Sequence, residues 1–108
     1  MRLSTLDHIA GYEIVEDLGL VRANVVRAKH IGKDIVAGLK NVVGGEIKEY
    51  TEMMSESREI AISRMSKKAK ELGADAVVNI RFMTSAIMGG ASEIMAFGTA
   101  VKLKKIKK

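Results

Sequence analysis

The stretch that decides the fold is residues 50–72, YTEMMSESREIAISRMSKKAKEL. At 100° per residue, Tyr50, Met54, Ser57, Ala61, Met65 and Leu72 fall within roughly 40° of one line. Met53, Ile60 and Ala69 widen that stripe, and Lys68 lies on it, its stem expected on the core with the ammonium reaching out. Glu46, Glu49, Glu52, Glu56 and Glu59 load the front while Lys67, Lys68 and Lys70 load the back, the polarity a helix dipole favours. Gly73 supplies the stop. The spacing therefore predicts a long amphipathic helix over Tyr50–Leu72. Ile62 lies off the stripe and is a candidate for a second contact surface.

Downstream the period changes to two. From Asp75 to Ser85, Ala76, Val78, Ile80 and Phe82 alternate with Asp75, Asn79 and Arg81, the pattern of a half-buried strand. Residues 86–92, with Gly89-Gly90, read as a loop. Glu93–Leu103 reads as a last strand of different character: Met95, Phe97, Thr99 and Val101 on one face, Ile94, Ala96, Gly98 and Ala100 on the other. Both faces are apolar, so one helix cannot cover them both, and a contact between copies is expected.

Upstream, Tyr12–Lys29 is rich in Val, Ile and Leu and reads as one extended segment with a bend or bulge near Gly19. Ile31, Ile35, Leu39 and Val42/Val43 recur at helical spacing, predicting a short helix ended by Gly44-Gly45. Gly38 inside it is unfavourable by about 1 kcal/mol relative to Ala. The elements make a single α+β domain spanning 1–108, with a lysine-rich tail at 102–108 and no internal repeat or linker.

Composition bounds the chemistry. The 108 residues are 47% hydrophobic but hold only two Tyr, two Phe and no Trp, so the core is aliphatic with seven Met. The absence of Cys excludes disulfides and thiolate ligands. No apolar run reaches the eighteen or so residues a bilayer span needs. Residues 1–11 lack a signal-peptide core, which makes the cytoplasm the expected compartment. Lys102, Lys104, Lys105, Lys107 and Lys108 account for the net charge of +5, and the remaining 13 basic and 13 acidic residues cancel. Nucleic-acid binding needs basic residues spread over a face and interleaved with aromatics, which this pattern lacks. Lys and Glu are abundant and Gln is absent, a composition that hints at a thermophilic source.

Catalytic signatures are missing. No Gly-x-Ser-x-Gly, Walker-type or Gly-x-Gly-x-x-Gly pattern occurs, and no acid–base pair stands out, so a non-enzymatic role is expected. For a divalent metal the weak candidates are His30 with Asp34, spaced i, i+4, and His8 beside Asp7. Two ligands make half a structural zinc site, and solvated side chains are the plainer reading. Glu46, Glu49 and Glu52 cluster before the long helix, where the dipole already accounts for them.

Lys33-Asp34-Ile35, Ala37-Gly38, Gly44-Gly45, Tyr50, Leu72-Gly73-Ala74-Asp75-Ala76-Val77-Val78 and Gly98-Thr99-Ala100-Val101, taken in order, resemble the YbjQ-like family of small uncharacterised proteins, sometimes given a heavy-metal-binding label. Asp75 and His30 depart from that pattern, each standing where Asn is usual. The resemblance implies a dodecin-like β-α-β-β subunit, one long helix on an antiparallel sheet, assembling into a ring that is a homopentamer. An oligomeric protein holding a metal or small ligand between subunits is the leading expectation. The alternative is a scaffold ring whose lysine tail meets an acidic partner.

Overall fold

The structure is a computed structural model and describes residues 1–28, 48–87 and 91–107. The helix expected over residues 31–43, the glycine pairs 44–45 and 89–90, and Gly38 lie outside these residues. The described residues form five elements: β1 (Arg2–Leu3), β2 (Tyr12–Ala28), α1 (Lys48–Glu71), β3 (Ala76–Ala86) and β4 (Ala91–Lys105). They form one helix against a four-stranded sheet ordered β1-β3-β4-β2. β4 runs antiparallel to both neighbours, whereas β1 pairs in parallel with β3, making the sheet mixed.

The long helix ends as its glycine requires. Gly73 adopts φ +83°, its amide donates to the Lys70 carbonyl and that of Ala74 donates to Ala69. These are the two bonds of a Schellman stop. Ala74 then packs on the core beside the buried Ala69. Leu72, placed on the stripe by the helical projection, falls past the last helical residue and is exposed.

The core lies between α1 and one face of the sheet. Met53, Met54, Ala61, Met65 and Ala69 of α1 meet Val21, Ala23 and Val25 of β2, Ile94, Ala96 and Ala100 of β4, and Val77 and Ile80 of β3. Alanines at the contact let the helix approach the strands. At Gly98 the fit is closest: a Cβ there would stand 2.7 Å from Val77 Cγ1 and 2.9 Å from the Val78 carbonyl oxygen.

β2 bends where expected. Gly19 has φ +95°, Asp17 Oδ1 accepts its amide hydrogen at 2.7 Å, and the β2–β4 register shifts on both sides of Asp17. β3 corrects the sequence reading. Ala76 and Val78 do not share a face with Ile80; they pack with Val101, Ile9 and Leu103, while Val77 and Ile80 face the helix. The cause is a bulge between Val78 and Arg81 with Asn79 at φ 54°. Asn tolerates this left-handed conformation. The displaced amides of Asn79 and Ile80 donate to the carbonyls of Leu6 and Ser4, so the N-terminal segment is zipped onto the bulge.

Candidate functional site

Ionisable residues named from the sequence do not converge. His8 lies on the surface with Nδ1 2.7 Å from Asp7 Oδ1. That hydrogen bond, with the imidazole's charge, holds the Asp7 carboxyl below the usual carboxylate range. The pair is exposed and offers two ligands. His30, Asp34 and Glu46 lie outside the described residues. Among the described residues, no three His, Cys, Asp or Glu side chains come together as a metal site. The described donors by themselves are fewer than a structural zinc site needs.

Among the described residues, the buried polar side chains are Ser57 and Ser92. Ser57 donates to the Met53 carbonyl one helical turn earlier at 2.8 Å. Ser92 hydrogen-bonds the Tyr50 hydroxyl at 2.5 Å, joining the first turn of α1 to the start of β4. Sequence reasoning placed Ser92 in a loop. Its phase with Ile94 and Ala96 was the available signal, since it is the polar member of the helix-facing series.

Lysines near the C-terminus are partly built into the sheet. Lys102 and Lys104 stand opposite Glu16 and Glu13 in the β2–β4 register, and β4 continues through Lys105. Lys68 Nζ donates to the Arg22 carbonyl at 2.7 Å and Arg64 to the Asn24 carbonyl at 3.1 Å. The Lys68 stem crosses from helix to strand, as its place on the stripe suggested. Arg27 and Glu56 form an ion pair between the same two elements at 2.9 Å.

The distinctive surface is the face of the sheet away from α1. Its rows read across β2, β4 and β3 as Val26–Glu93–Ser85, Asn24–Met95–Met83, Arg22–Phe97–Arg81 and Leu20–Thr99–Val78. Leu20 is 64% exposed, Val26 59% and Met83 54%. Ile9 of the N-terminal segment packs against Val78 and Val101 at one end of this face. The charges set among the apolar groups have both signs: Arg22 and Arg81 against Glu93. Arg81 is tied down by bonds to the Thr5 and Ile80 carbonyls, each 2.8 Å.

Among the described residues, one helix lies on a four-stranded sheet in an α+β arrangement, and the apolar face of the sheet away from that helix is left open. The family model YbjQ_1, described as "Putative heavy-metal-binding", matches residues 1–104. The chain is 66% identical to a UPF0145 protein of Psychromonas ingrahamii, over 97% of this chain and 100% of the relative. It is 58% identical to a UPF0145 protein of Thermosipho africanus, over 97% of each. A crystal structure of a DUF74-family protein of unknown function from Pediococcus pentosaceus shares the fold, with TM-score 0.66 and 18% identity over 96% of this chain and 98% of that one. The chain belongs to the YbjQ-like family, whose members here carry the uncharacterised-family name UPF0145. Among the described residues, no helix is long and apolar enough to cross a membrane.

Proposed function

We propose that this chain is a non-enzymatic binding protein that works as an assembly of identical copies in the cytoplasm, holding a metal or small ligand where copies meet. The observation that carries the reading is the open face around Leu20, Val26, Met83, Met95 and Phe97. Burying apolar surface is worth about 25 cal/mol per Å², and β4 presents apolar groups on both sides of the sheet while α1 covers one.

A second copy is the occupant the face fits best. Arg22 and Glu93 stand on it together, so an identical surface or a balanced neighbouring one can pair charge with charge, whereas a partner of single sign would meet repulsion. The chain's body is itself balanced in charge. The free edge of β2 is a poorer docking point, because Lys68 and Arg64 already occupy its carbonyls at Arg22 and Asn24. The family resemblance implies a pentameric ring, and Ile62, half-buried on the helix flank, is where α1 would join the contact.

Native mass spectrometry of untagged protein tests both parts at once, since it reads copy number and any retained mass. The reading expects five copies and a stoichiometric metal or small molecule per subunit or per interface. Monomers throughout, or assemblies that neither retain nor saturably bind any metal or small molecule offered, contradict it.

A further inference from the structure

We propose that Met83 and Met95 form a binding site for a soft monovalent metal ion of the Cu(I)/Ag(I) class on the open face of the sheet. The inference starts from the donor inventory. With no Cys and seven Met in the chain, thioether sulfur is the soft donor available. Soft ligands of this kind select Cu(I) over the divalent ions that imidazole and carboxylate prefer.

Position separates these two methionines from the three of the core. Met53, Met54 and Met65 are 5%, 8% and 0% exposed and sealed between helix and sheet. Met83 is 54% exposed and Met95 half-buried, and the two stand directly opposite each other on the antiparallel strands β3 and β4. Opposed residues have Cβ atoms about 4.5–5.5 Å apart. Each methionine turns about three side-chain bonds, so both sulfurs can reach one ion between the strands.

The surroundings select by charge. Asn24, the neighbour of Met95 across β2, is neutral, and Phe97 follows Met95 on the same face. Arg22 and Arg81 flank Phe97 one row away, and Glu93 lies one row away on the opposite side, which leaves positive charge in excess around the pair. Repulsion by that excess scales with the charge of the cation, so it penalises a divalent ion twice as much as a monovalent one. Neutral thioethers, lacking a carboxylate's countercharge, suit the monovalent ion for the same reason. The site deepens the assembly reading and rests on it in one respect: a second copy laid over this face would shield the ion from water.

Titrating the full-length protein with Ag(I), followed by the ¹³C-methyl NMR signals of its methionines, tests the site. The expected result is saturation at one ion per chain, with the Met83 and Met95 methyls shifting and those of Met53, Met54 and Met65 fixed. The variant M83L/M95L keeps the apolar volume and should bind at least tenfold more weakly. No saturable binding, or equal affinity in M83L/M95L, overturns the site. Light scattering on the same samples separates the two ideas. Intact assemblies without Ag(I) binding overturn the site alone, while monomers that bind Ag(I) with shifts at these methyls uphold the site and overturn the assembly.

Discussion

Lys68 Nζ donates a 2.7 Å hydrogen bond to the carbonyl of Arg22, joining the last turns of the helix to the outer strand of the sheet. With the matching bond from Arg64 to Asn24, it occupies two acceptors on an edge that would otherwise invite another strand. Replacing both by methionine keeps apolar stem and removes the donors. Each lost bond should cost about 0.5–1.5 kcal/mol, read as a lower urea midpoint with unchanged slope. The freed edge should also make R64M/K68M more prone to aggregate on concentration.

Gly98→Ala should destabilise by about 1–3 kcal/mol, the range for overfilling a packed core. One obstacle to the new methyl is the Val78 carbonyl oxygen at 2.9 Å, which belongs to backbone and cannot rotate away. Chemical denaturation measures the loss. Gly98→Ala combined with Val77→Ala should recover part of it and not all, because only the Val77 Cγ1 clash is relieved.

The Tyr50–Ser92 bond makes a coupled pair. Tyr50→Phe leaves the buried Ser92 hydroxyl unpaired and should cost about 1–3 kcal/mol. In Y50F/S92A both polar groups are gone, and the double variant should be more stable than the sum of the single losses predicts. A double-mutant cycle from urea melts checks the coupling, which vanishes if the hydroxyls act independently.

Asp7 should titrate below its ordinary value of 3.8, because His8 hydrogen-bonds its carboxylate form. The folded pKa is depressed, so whatever the contact contributes to stability is present above the ordinary value and lost as pH falls through the folded one. Carboxyl-carbon NMR follows this directly, and in H8A the midpoint should return towards 3.8.

Much of this architecture is legible in the residue pattern, and the failures have causes. The Met53–Ala69 stripe and the Gly73 stop are local signals, so helix and cap appear as the periodicity predicts. The Gly19 bend is legible because glycine permits a backbone few residues adopt. The faces of β3 were misread because Asn79 leaves the alternation, and what holds it there is a pair of carbonyls over seventy positions away in the chain, at Leu6 and Ser4. Non-local partners of that kind leave no mark on the local period. The parallel pairing of Arg2–Leu3 with Ala76–Val77 was invisible for the same reason. Of the metal candidates, His8 has its sequence neighbour Asp7 as partner, and among the described residues no third His, Cys, Asp or Glu joins that pair.

Light scattering of the wild-type chain and of L20E/V26E at micromolar concentration shows whether copies associate through the open face. Both side chains are more than half exposed in a single subunit, at 64% and 59%, so the substitutions spare its core. The wild type should scatter as one defined assembly of identical copies, a pentamer, and L20E/V26E should dissociate with its circular dichroism unchanged. A monodisperse wild-type monomer, or an assembly indifferent to both glutamates, would contradict association through that face.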